Sequence, residues 1–183
     1  IYYRVCINGS YRTALLNAKS KVAQIKAQSL PRLELCAAVL LNKTWSKIKS
    51  KIFKFVSLIF FWTDSKIVLQ WLKLHSSTLN CFVGNRISEL QEQTRDIQWR
   101  HVPSKSNPAD IVSRGCSAAE LPTTIWFNGP NFLFEDESGW PVHEECNDRE
   151  ILERRKAVVF TCIKDDPPVS IFDKIIDKHS SYY

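Results

Sequence analysis

The chain has 183 residues, of which 44% are hydrophobic and 24% charged, with 5 Gly and 8 Pro. That composition excludes a disordered chain, a collagen-like repeat and a coiled coil, and it suffices for one domain with its own core. The net charge of +6 divides unevenly: residues 1–114 hold 18 Lys and Arg against 6 Asp and Glu, and the remainder holds 7 against 13.

A surplus of +12 on the first part points to a polyanionic partner, most simply nucleic acid, because neutralised phosphates release counterions. The ordinary alternative is a lysine-rich solvated surface. No apolar run approaches the ~18 residues of a membrane span, and no secretory leader is legible. The chain contains no methionine, which reads as a piece of a longer polypeptide or of a broken reading frame. Six cysteines (6, 36, 81, 116, 146 and 162) occur without a C-x-x-C pair, the pattern of reduced thiols in an intracellular protein. Cys36 reads as a small core residue. His143 and Cys146 have ligand spacing but no companion pair, so zinc is not expected there.

In chain order, residues 1–7 read as a strand, Asn8-Gly9 as a hairpin turn and residues 11–18 as the returning strand. Pro31 suits the first turn of a helix running to about Ser50, with Leu33, Ala37, Leu40, Leu41, Trp45 and Ile48 at helical spacing. Residues 56–63 form a continuous apolar run, expected as a strand covered on both faces. Asp64-Ser65 then caps a short helix over 66–74, a second helix covers 81–93, and 97–102 is another strand. After the loop 103–106, Asn107-Pro108-Ala109-Asp110 opens a last helix. Beyond Gly115 the chain is broken by Pro and Gly, with Trp126, Phe127, Phe132, Phe134 and Trp140 able to pin it to the domain. From about Asn147 an acidic linker follows, with one helix expected over 150–161.

The order β-β-α-β-α-α-β-α predicts a mixed α/β sheet layered with helices. Three of the six acids in the first part stand at element ends that such a sheet could bring together. Glu34 lies at the edge of a helical apolar stripe, Asp64 at the carboxyl end of the most hydrophobic strand, and Asp110 near a helix start. Singly, each has an ordinary reading, as a helix-start acid or a cap. Together, beneath a basic surface, they suit divalent cations and in-line phosphoryl displacement. His101, before Asp110, could shuttle a proton or help product leave, and is otherwise a plain surface or core histidine.

Three blocks carry a more specific signal: LPRLELCAA (30–38), FWTDS (61–65) and WRHVPSKSNPADIVSRG (99–115). With AKSKV (18–22) and IWFNGPNF (125–132), they resemble the ribonuclease H region of BEL/Pao-type retrotransposon polyproteins, over roughly residues 1–140. The resemblance implies a ribonuclease H-like five-stranded mixed sheet flanked by helices, here with its first strand truncated. It implies cleavage of the RNA strand of RNA–DNA hybrids with two Mg²⁺ or Mn²⁺ ions. Glu34, Asp64 and Asp110 match three of the family's four metal-binding acids, and His101 matches its loop histidine. The fourth, an Asp on the first strand that bridges both metals, would fall about ten residues before Ile1. The chain is therefore expected to bind metal poorly and to cleave slowly or not at all.

The implied organisation is a ribonuclease H-like domain over 1–115, an extension over 116–146, and an acidic linker over 147–183. Implied partners are the hybrid and the reverse transcriptase and integrase regions of the same polyprotein, with no membrane. The implied setting is cytoplasmic or nuclear, in a virus-like particle if the element is active. Lys19, Lys21, Arg32, Arg86, Arg100 and Lys105 are expected to grip the backbones, ahead of the lysines at 43–54. An inactive nucleic-acid-binding module of the same fold, or a protein-interaction fragment, are the alternatives.

Overall fold

The structure, a computed structural model, describes residues 1–23, 27–142 and 151–156. It begins with a hairpin of β1 (Tyr2–Ile7) and β2 (Ser10–Leu15). The two strands are antiparallel, with Tyr2 opposite Leu15 and Ile7 opposite Ser10. Asn8 and Gly9 both take positive φ, 50° and 76°, as a two-residue turn matched to strand twist requires. Helix α1 (Leu30–Ile52) follows, with Pro31 in its first turn. Strand β3 (Phe60–Thr63), α2 (Lys66–Lys73), α3 (Cys81–Gln93), β4 (Gln98–His101) and α4 (Ala109–Arg114) complete the regular elements.

The core lies among α1, α2 and α3. Leu35, Val68, Trp71, Leu79, Val83, Ile87 and Leu90 are fully buried there. Each aliphatic member contributes about 1.5–3 kcal/mol through burial. Gly84 permits the close approach of the 3₁₀ turn Ser76–Thr78 to α3, since a Cβ at that position would lie 2.6 Å from the Ser76 carbonyl oxygen.

Several expectations are corrected. The described residues form two separate two-stranded sheets, β1–β2 and the parallel pair β3–β4, and not one five-stranded sheet. β3 is shorter than the apolar run because its partner β4 begins only at Gln98, opposite Phe60, leaving 56–59 without a ladder. The buried stripe of α1 is Leu35, Ala38, Val39, Asn42 and Trp45, whereas Ala37 is exposed and Leu33 and Leu40 are half-buried. Asn42 hides this stripe from a hydropathy reading: it is fully buried, and its amide donates to Gln93 Oε1 at 2.6 Å. Cys36 is half-exposed and not in the core. Residues 151–156 form a turn and a bridge to Leu79, so the helix expected over 150–161 does not form there. His143, Cys146 and the rest of the acidic linker lie outside the described residues.

The extension after Gly115 binds the two sheets together. Tyr2 Oη donates to the Trp126 carbonyl at 2.7 Å, Leu15 N to Phe127 O at 2.7 Å and Arg4 Nε to Leu133 O at 2.7 Å. Partial burial pushes the Tyr2 phenol up to about 12. On the other sheet, Trp140 meets Phe60 edge-on at 5.1 Å and Trp62 at 5.6 Å, while its ring also lies under the guanidinium of Arg4. On the opposite face of β3, Phe61 packs edge-on against Trp99 at 5.1 Å, so the strand is covered on both sides as its sequence suggests.

Candidate functional site

Because β3 and β4 run parallel with Thr63 opposite His101, the residues that follow each strand emerge at the same edge. Val102 N donates to Thr63 O at 3.0 Å and holds the two ends in register. The carboxyl end of a parallel pair is where α/β sheets leave room for ligands. Asp64 and Ser65 leave β3 here, and His101, half-exposed, closes β4.

Ser65 organises this edge. It is buried, with 4% of its surface exposed. Its Oγ accepts from Val68 N at 3.2 Å, capping α2. The same hydroxyl donates to Glu34 Oε2 at 2.5 Å. A short O–H···O⁻ bond of this kind is charge-assisted, and it fixes α1, one turn in from its start, against the residue after Asp64. Glu34 and Asp64 are both half-buried.

Asp110 is placed differently. Asn107 Oδ1 accepts from Ala109 N at 3.1 Å and starts the last helix, as its sequence predicts. The Asp110 carboxylate, however, accepts from Arg114 Nη2 at 2.9 Å within its own helix. Among the described residues, no group of three or more His, Cys, Asp and Glu side chains is close enough to share a metal ion. In this arrangement the Glu34 carboxylate is engaged by Ser65 and the Asp110 carboxylate by Arg114.

The expected cations divide into two sets. Lys19 and Lys21 are exposed in the segment after β2, and Lys105 is exposed after β4. Lys21, Lys43 and Arg86 line one cleft between α1 and α3, together with Cys36 and Glu89. Glu89 lies 3.8 Å from Lys43 there. Arg86 stacks 3.6 Å over the Phe82 ring and donates to Phe82 O at 2.8 Å. Arg32 and Arg100 are occupied. Arg32 makes a two-pronged pair with Glu153 at 2.7 and 2.9 Å. Arg100 pairs with Glu137 and stacks 4.4 Å from the Phe60 ring. Both acidic partners come from the net-negative later part of the chain, so the charge division was the available signal for these pairings. Trp71 is fully buried and belongs to the core.

Comparison with known proteins gives one family. Residues 1–65 match the sequence model of the Pao retrotransposon-like RNaseH-like domain. The matched stretch contains Glu34 and Asp64 and ends at Ser65; His101 and Asp110 lie beyond it. No curated protein and no solved structure matches the chain.

Proposed function

We propose that this chain is the ribonuclease H-like portion of a Pao-type retroelement polyprotein and that it holds RNA–DNA hybrid without appreciable turnover. The observation that carries this reading is the family match over residues 1–65, a stretch that folds as β1, β2, α1 and β3 and carries two of the three carboxylates. Lys21, Lys43 and Arg86 supply a basic cleft for the backbones, and 2′-hydroxyls distinguish the RNA strand from DNA. On this reading Glu34, Asp64 and Asp110 are members of a two-metal carboxylate set for Mg²⁺ or Mn²⁺, with His101 beside it. The bonding of Glu34 to Ser65 and of Asp110 to Arg114 favours the inactive binding module over the nuclease. The reverse transcriptase and integrase regions of the same polyprotein are the proposed protein partners.

The test is fluorescence anisotropy with a labelled RNA–DNA hybrid across a salt series, alongside incubation of the labelled strand with Mg²⁺ or Mn²⁺. Binding should weaken with salt, with a slope of about 0.9 per phosphate neutralised on a duplex, and the RNA should stay intact. Absence of binding at low salt overturns the assignment. Rapid RNA cleavage overturns the inactive form of it.

A further inference from the structure

The carboxyl-terminal end of α1 and the 3₁₀ turn Phe53–Phe55 that follows it carry only positive charge. No Asp or Glu occurs between Glu34 and Asp64. Lys47, Lys49, Lys51 and Lys54 are all exposed, and none forms an ion pair among the described residues. Two phenyl rings stand among them. Phe53 is 55% exposed and Phe55 is 86% exposed, and Lys49 Nζ lies 5.5 Å from the Phe53 ring. Exposed aromatic rings set among unpaired lysines are a costly surface for a solvated helix end, and they have the chemistry of a strand-binding platform.

We propose that residues 47–55 form a second nucleic-acid site that takes a single strand, with bases on Phe53 and Phe55 and phosphates on the four lysines. The inference rests on the reading that the chain binds nucleic acid, and it adds where and in which form. A duplex keeps its bases stacked on one another, so exposed phenyl rings are useful only to an unpaired strand, whose bases offer free π-faces. A membrane surface fits less well. At 100° per residue Lys47 and Lys51 share one face, but Lys49 lies roughly 160° from both and beside the Phe53 ring, whereas an interfacial helix keeps its charge off one apolar face. The site is separate from the carboxylates, since Phe53 follows Glu34 by 19 positions, about 28 Å along a helix. Two of the cations favoured from the sequence, Arg32 and Arg100, are paired to acids, whereas Lys47, Lys49, Lys51 and Lys54 are not.

The experiment uses the full 183-residue chain, a labelled oligo-dT strand and a labelled RNA–DNA hybrid, read by anisotropy over a salt series. Replacing Phe53→Ala and Phe55→Ala should weaken single-strand binding about tenfold per ring and leave hybrid binding nearly unchanged. The paired Phe53→Tyr and Phe55→Tyr variant should restore it, which a merely disrupted fold would not allow. Replacing all four lysines with Gln should reduce the single-strand salt slope by about 3, at ~0.7 for each phosphate no longer neutralised. Unchanged single-strand affinity and slope in these variants, with the parent still binding hybrid, overturns this site and leaves the proposed function standing. A parent that binds neither ligand overturns both. Binding of the segment to phosphatidylserine vesicles in place of oligo-dT also overturns it.

Discussion

Ser65 shows how one hydroxyl can serve two elements. It caps α2 through Val68 N and ties Glu34 to the end of β3. Losing an N-cap costs about 1 kcal/mol, and losing a hydrogen bond to a charged group costs about 1.5–3 kcal/mol. Ser65→Ala should therefore destabilise the chain by about 2–4 kcal/mol in urea unfolding; an unchanged midpoint would refute the double role. Half of this role was legible in advance, because Thr-Asp-Ser before an apolar helix is a capping pattern. The bond to Glu34 was not, since it joins residues 31 positions apart and nothing local records that distance. The same limit hid the pairing of Arg32 with Glu153 and of Arg100 with Glu137, which turned two expected phosphate ligands into internal ties.

Among elements, α3 has the bounds expected from the sequence, Cys81–Gln93. α1 was legible as a helix but not in its facing, because a buried Asn42 sits where hydropathy expects an apolar side chain. The 151–156 segment was misread as helical because its hydrogen bonds are long-range. Trp71 Nε1 donates to Leu152 O at 2.8 Å, Asn80 N to Glu153 O at 2.8 Å and Arg155 N to Thr78 O at 2.8 Å. Glu153 itself takes a φ of 63°, which costs roughly 1–2 kcal/mol for a residue with a Cβ. Its carboxylate offsets that cost by pairing with Arg32 and accepting from Asn80.

The hydrogen bond from Arg32 holds the Glu153 carboxyl below the usual range against the opposing effect of burial, and the bond from Asn80 adds a smaller lowering. A carboxyl lowered on folding contributes stability that is present above its unfolded value, about 4.3, and that is lost as pH falls through the lower folded value. Amide exchange at Asn80 and Arg155, corrected for intrinsic rates, should show constant protection from neutrality to about pH 4.3 and falling protection below it. Protection independent of pH across that range would show that the ion pair does not hold the segment.

For the whole molecule, the mixed α/β class and the order of the elements followed from period and caps. The partition into two sheets did not, because alternation predicts that a strand exists and not which strand it pairs with. What joins the sheets is the later, Pro-rich segment. It grips the hairpin through Trp126, Phe127 and Leu133 carbonyls and the β3–β4 pair through Trp140. Tyr11 Oη adds a bond to Asp136 at 2.7 Å. The hairpin is thus held chiefly by residues more than a hundred positions away, while Lys19 and Lys21, just beyond it, are exposed. Tryptic scission at either lysine should therefore not set the first strands adrift. The nicked protein should elute from a sizing column as one species and fall into two fragments only in denaturant, the severed ribbon staying clasped by the far end of the same polypeptide.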